Sequence, residues 1–323
     1  MVNVDSSSIV AFVDAVAYAC GSFAHVDVRA VDVVVHRALS FAIAWCLCAS
    51  WATSSYSYVD QIWSIAPVTY VAIYAYDGRL ETCSTRLFVM SSFVALWGTR
   101  LTYNFYRKGG YAGVEDYRWA TLRKHWALQK RLVWETFNVT FIAWYQNVLL
   151  LLIALPAAAA RRSEKGFNVL GLDGAASALW FAAFVVEVVA DEQQWRFQQS
   201  KHGKAPRVPE WKEDYDRGFL THGLFRYSRH PNFFAEQAMW VAFSLFAGAS
   251  STPSTFIHPT MIGAVLLIML FQGSTRFTES ITSRKYVEYR NYQACTSALI
   301  PMPRFGTLPK PKAKQTATRK SAR

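Results

Sequence analysis

With 323 residues, 52% of them hydrophobic and only 17% charged, and with 12 Trp, 16 Tyr and 22 Phe, the chain is too apolar for an ordinary soluble domain; its apolar residues gather into blocks of membrane-spanning length. The net charge of +12 lies in the loops between those blocks and in the tail, where the bias of basic residues toward the cytoplasm accounts for it and argues against a nucleic-acid partner. Five cysteines (Cys20, Cys46, Cys48, Cys83, Cys295), odd in number and without a CxxC pair, argue against a disulfide framework and a zinc site, and no metal is expected.

The expected fold is all-α, a polytopic membrane bundle of about seven (six to eight) transmembrane helices with polar loops on the cytoplasmic side. Residues 1–54 hold the N-terminal membrane helices: a short block at 9–24 interrupted by Asp14, then a full span at 33–52. No basic segment precedes the first block, so it does not read as a cleaved signal. Residues 55–76 read as a further span that begins with aromatic residues and Asp60 and carries Pro67. The next span, 87–106, brings Arg100 and Asn104 onto one face near its end, and an arginine at such depth needs a partner, a polar cavity or the headgroups.

The loop 107–131 carries seven Lys or Arg, two acids and three glycines, which places it in the cytoplasm. Without a preceding strand or a GxxxxGK[ST] pattern its glycines suggest a turn, not a phosphate cradle. Spans at about 136–160 and 173–197 follow. On the second, Glu187 and Asp191 sit one turn apart and Gln194 and Gln198 continue the stripe, as residues lining a polar cavity or an interhelical ion pair would.

A polar stretch with eight basic residues between Arg196 and Arg229 leads to GLFRYSRHPNFFAEQAMW, residues 223–240. Pro231 marks a helix start with His230 before it, and the free amides of that first turn, beside Arg226 and Arg229, suit phosphates or a carboxylate. Asn232 and Glu236 share one face just inside the helix. After the span 232–249, the connection 250–258 has no Lys or Arg and belongs on the far side. One more apolar block, 259–273, precedes a segment in which Arg276 and Glu279 are neighbours on a helical face and Tyr286, Tyr289 and Tyr292 recur every three residues, the pattern of an amphipathic interfacial helix. Residues 304–323 are expected to form a disordered basic tail on the cytoplasmic side. The polar motifs thus converge on one side, which suits a site for a soluble cofactor entered by a substrate from the lipid phase.

The segments EVVADEQQWRFQ, GLFRYSRHPNFFAEQ and RKYVEYRNYQACTSALIP, with VDQIWSIAP and WGTRLTYNFYRKGGYAGVEDYRW before them, resemble the membrane reductases of the steroid 5α-reductase superfamily. The likeness is greatest to an uncharacterised branch with a 5α-reductase-like C-terminal domain and spans about 55–303. It implies a membrane enzyme, an oxidoreductase of the endoplasmic reticulum, that uses NADPH to reduce a polarised carbon–carbon double bond in a lipid such as a steroid, sterol or isoprenoid. By position, Asn232 and Glu236 match residues at the nicotinamide end of the cofactor, Asp191 an acid that helps bind its polar part, and Arg276 and Tyr286 contacts near the C-terminus. Glu187 stands where the family has Asn, and Gln198 where it has Arg. The family's Glu–Tyr pair that polarises the enone has no full counterpart here: Trp97 lies near the tyrosine's place, and Tyr103 and Asp60 are the candidates for the acid and its support. Two alternatives remain open. One is a membrane methyltransferase using S-adenosylmethionine, similar to the isoprenylcysteine carboxyl methyltransferases. The other is a non-catalytic lipid-binding protein.

Overall fold

A computed structural model describes residues 30–76, 84–113 and 115–311. The expected helix at 9–24, Cys20, Cys83 and the basic tail from residue 312 lie outside the described residues. Every regular element among the described residues is helical. The helices are α1 (Ala30–Thr53), α2 (Tyr58–Ile62), α3 (Ala66–Ala75), α4 (Thr85–Arg107), α5 (Tyr117–Arg123), α6 (Arg131–Arg161, with a π-helical stretch at Asn138–Tyr145), α7 (Leu172–Lys201), α8 (Lys212–Arg217), α9 (Pro231–Ser250), α10 (Ile262–Lys285) and α11 (Tyr289–Cys295). Four helices among the described residues are long and apolar enough to cross a bilayer: Val31–Thr53, Arg131–Arg161, Leu172–Lys201 and Pro259–Lys285. The protein is therefore membrane-associated. The expected span at 55–76 is instead two short helices, because Pro67 sits in the first turn of α3, where its missing N–H costs nothing.

The chain divides into two compact units. The first comprises residues up to Phe184 together with Gln237–Leu270. Its centre is α6, whose run from Gln146 to Ala158 is buried on every side, as a helix apolar all round must be. Helices α1, α3 and α4 pack around it. Two glycines permit close approaches to the backbone of a neighbouring segment. A Cβ on Gly263 would lie 2.3 Å from the Leu152 carbonyl oxygen, and one on Gly98 would lie 2.5 Å from Val68 and 2.8 Å from the Ser64 carbonyl oxygen. Aromatic pairs fill the rest: Phe93 stacks on Trp180 with ring centroids 4.3 Å apart, and Trp97 meets Trp240 edge-on at 4.9 Å. At one end, Arg86 donates to both carboxylate oxygens of Asp173, at 2.7 and 2.9 Å, and to the carbonyls of Lys165 and Gly166.

Large apolar side chains such as Phe41, Phe88, Leu132, Phe181 and Met269 point away from the protein. Lipid satisfies such faces, whereas water would penalise them by about 25 cal/mol per Å².

The second unit comprises Val185–Glu236 and the residues from Phe271 onward. Its core is aromatic: Phe219 packs against Tyr289 and Tyr292, and Phe197 stacks on Tyr215 with centroids 5.3 Å apart. Tyr289 and Tyr292 are buried, so the tyrosine repeat is a core stripe and not an interfacial face. The segment after α11 runs along residues 227–230: Arg229 N–H donates to the Ser297 carbonyl at 2.8 Å, His230 N–H to that of Ala298 at 3.1 Å, and Met302 N–H to that of Tyr227 at 2.9 Å. The head of the expected disordered tail is strapped to the unit as well, through Arg304 to the Thr221 carbonyl and the Phe305 N–H to that of Cys295 at 2.9 Å.

Candidate functional site

The polar stripes of α7 and α9 meet within the second unit. Pro231 begins α9, as its fixed φ and absent N–H predict. Next to it in the first turn, Asn232 donates its side-chain amide to Asp191 Oδ1 on α7 at 3.1 Å. Glu236, a further turn along α9, and Glu187, a turn back along α7, are both about 5% exposed. The two helix faces thus carry three carboxylic acids and one carboxamide, and the Asn232–Asp191 bond joins the faces. Gln193, two residues beyond Asp191, anchors the approach to α9 by accepting from the Leu224 N–H at 2.9 Å. Gly223, at φ +63°, is the residue that lets the chain pass close to Gln193.

The second cluster is centred on Glu279 of α10. Its carboxylate accepts from Arg229 Nε at 2.6 Å and Nη2 at 3.0 Å, from Gln293 Nε2 at 2.8 Å and from the Tyr289 hydroxyl at 3.2 Å, with His230 Nε2 3.0 Å away. Arg229 also donates to the carbonyls of Gln293 and Thr296. Burial works against the charge on Arg229, but the Glu279 bonds outweigh it and raise its pKa. The expectation of a phosphate contact at Arg229 therefore meets a guanidinium already engaged by a carboxylate and two carbonyls. Its geometry is that of a clamp holding the RHPN turn to α10 and the C-terminal strap.

Arg276, expected beside Glu279, is exposed, and the Glu279 carboxylate turns instead to Arg229. Tyr286 accepts a bond from Lys201 Nζ at 2.8 Å and lies against Gly218, whose left-handed φ of +91° ends α8. Burial pushes the Tyr286 phenol up, but the nearby Lys201 and Lys285 ammonium groups prevail and lower it.

Arg226 ends a short 3₁₀ turn at Gly223–Arg226 and is exposed, with no carboxylate partner among the described residues. Close to it in sequence, Asp214 is completely buried and organises its surroundings: it accepts from Thr221 N–H at 2.7 Å and from the Thr221 hydroxyl at 2.6 Å, while His222 Nδ1 lies 2.7 Å away and Arg217 Nη1 3.3 Å away.

In the first unit, Asp60 of α2 accepts from the Trp119 indole at 2.8 Å and from Arg118 Nη2 at 3.3 Å. It fastens α5 to α2, so its carboxylate is engaged in structure. Tyr103 on α4 is 59% exposed, with the Arg107 guanidinium 5.4 Å from its ring centre. The two residues share no hydrogen bond. Nearby, Glu115 binds Arg123 and the Tyr56 N–H, and Glu135 accepts from Trp51 and the Tyr56 hydroxyl, so Glu115 ties the 107–131 loop to Tyr56, which Glu135 of α6 also holds.

Sequence reasoning missed Asp214, the four-partner role of Glu279 and the Arg86–Asp173 pair. An acid three or four residues from an arginine is too common to single out Asp214, and 87 residues separate Arg86 from Asp173.

Residues 45–296 match the model of the family described as "Protein of unknown function (DUF1295)". A relative in Schizosaccharomyces pombe, "Uncharacterized protein C594.04c", is 36% identical over 259 residues, covering 77% of this chain and 73% of the relative. No solved structure matches. The family model thus takes in both the Asp60 cluster and the whole of the Asp191, Asn232 and Glu279 constellation, and the chain belongs to the DUF1295 family.

Proposed function

We propose that the protein is an integral membrane reductase that uses NADPH to reduce a carbon–carbon double bond in a lipid. The observation that carries this reading is the Asn232–Asp191 bond, with Glu236 and Glu187 buried one turn to either side. The donor set fits a dinucleotide: a carboxamide and a carboxylate complement the nicotinamide amide, carboxylates accept from ribose hydroxyls, and an unpartnered guanidinium suits a phosphate. When bound, NADPH supplies a hydride.

Asn232 and Glu236 hold the nicotinamide end in orientation, and Asp191 fixes the direction of the Asn232 amide. Glu187 extends that acidic stripe. Arg226 takes a phosphate, while Arg229 fastens the turn on which Asn232 is mounted. Arg276 and Tyr286 contribute at the margin, Tyr286 through its pairing with Lys201. Asp60, bound by Trp119 and Arg118, acts as a support for the adjoining loop. In this reading the bundle has about seven spans, lies in the endoplasmic reticulum membrane with its C-terminus in the cytoplasm, and admits substrate from the bilayer.

The test is thermal unfolding of the purified protein with NADPH or with S-adenosylmethionine. A ligand at 100 times its Kd stabilises by about 2.7 kcal/mol. The reading predicts a rise with NADPH alone. A rise with S-adenosylmethionine alone would mark a methyltransferase, and no rise with either a non-catalytic lipid-binding protein.

A further inference from the structure

Beside the Asp214 cluster lies a cavity of about 480 Å³, within the roughly 300–1,000 Å³ of small-molecule sites. Thr221, His222, Arg226 and Arg304 line it, together with Arg217 and Glu213. The charges sort into two groups. Arg217 is 6% exposed and neutralised: it donates to Glu213 at 2.8 Å, to Asp214 at 3.3 Å and to the Pro309 carbonyl at 2.8 Å. Arg226 and Arg304 have no carboxylate partner among the described residues.

Arg304 comes from the C-terminal strap. One of its Nη groups donates to the Thr221 carbonyl and its guanidinium lies 5.8 Å from the Tyr292 ring centre, so it is held in place. Its Nε is buried without a hydrogen-bond partner. A buried donor on a fixed guanidinium is worth a lost hydrogen bond unless an acceptor arrives. Asp214 holds both Thr221 and His222, so the wall to which Arg304 is tied is itself held in place.

We propose that this cavity is a binding site for a phosphate monoester, gripped by Arg304 and Arg226. Two guanidinium groups without counter-charge provide the geometry and charge that a dianionic phosphate needs, and a carboxylate would leave part of it unmet. Glu213 faces the same space but is engaged with Arg217, which limits its repulsion. That the phosphate belongs to a nucleotide rests on the reductase reading; the anion site itself does not.

The experiment measures thermal unfolding and binding by the full-length protein in phosphatidylcholine nanodiscs with inorganic phosphate, 2′-AMP, NADPH and added dioleoyl phosphatidic acid. Phosphate and 2′-AMP should stabilise the native protein, and Arg304→Met should weaken 2′-AMP at least tenfold. Arg226→Met, at an exposed and unpartnered position, should do the same without loss of fold. The proposal is overturned if no monoester stabilises the native protein, or if binding survives both substitutions. Binding of phosphate and 2′-AMP without NADPH would keep the site and remove the reductase reading. Binding of phosphatidic acid alone, lost in both variants, would keep the site and give it to a lipid headgroup.

Discussion

Arg229 and Glu279 face each other as fork and carboxylate, with Nε and Nη2 at 2.6 and 3.0 Å from the two oxygens, and that pair, with His230 beside it, joins the RHPN turn to α10. The side chains are about a tenth exposed, so the pair is largely withdrawn from water. Glu279→Gln leaves Arg229 buried without a counter-charge and should lower stability by about 3–5 kcal/mol. Thermal and denaturant unfolding in detergent would measure it; a change below 1 kcal/mol would mean that the pair is a surface contact in practice.

The Arg86–Asp173 pair makes a separate prediction. Its side chains are 1% and 2% exposed. Arg86→Met alone should cost about 3–5 kcal/mol, whereas Arg86→Met with Asp173→Leu should restore much of the loss, because two buried charges are removed together. A double-mutant cycle on unfolding free energies gives the coupling directly, and additive losses would contradict it.

Backbone approach at Gly263 is testable by adding one carbon. Gly263→Ala would put Cβ within 2.3 Å of the Leu152 oxygen, a backbone atom that cannot swing aside. The expected loss is about 1–3 kcal/mol. Gly273, with open space around its missing Cβ, serves as the control: Gly273→Ala should be neutral or stabilising in its helix.

His258 introduces a pH dependence. Its Nδ1 accepts from the Thr260 N–H at 3.3 Å and so caps the turn at Pro259–Met261, and burial lowers its pKa from the ordinary 6.5. The unfolded chain therefore takes up the proton first as pH falls. The stabilising contribution is complete above pH 6.5 and declines as pH drops below it toward the folded value. His258→Asn keeps an acceptor for the cap and should flatten that part of the stability-pH curve; an unchanged slope would rule out His258 as its source.

Much of the site could be read from periodicity. Glu187 with Asp191, and Asn232 with Glu236, are spaced for one helix face each, and Pro231 announces the helix that carries the second pair. Their meeting required the tertiary fold, and so did the fate of Arg229. Basic residues before a helix start suit phosphates and carboxylates equally, and only the position of Glu279, 50 residues on, decided between them. Spans proved harder to read than faces. Pro67 fits both a kinked span and a helix start, and the short α3 realises the second. The tyrosine repeat has the period of an amphipathic helix, yet a core stripe and a lipid-facing stripe share that period; Phe219 makes it core.

The central claim is that Asn232 and Asp191 hold a nicotinamide nucleotide. Its most direct test is NADPH binding, measured by calorimetry on the full-length protein in lipid nanodiscs, for the native chain and for Asn232→Leu and Asp191→Asn. The account predicts saturable one-to-one binding of NADPH by the native protein and at least tenfold weaker binding by each variant, with unfolding temperatures showing both still folded. Binding of equal strength in all three proteins, or no binding of NADPH by the native chain, would contradict it.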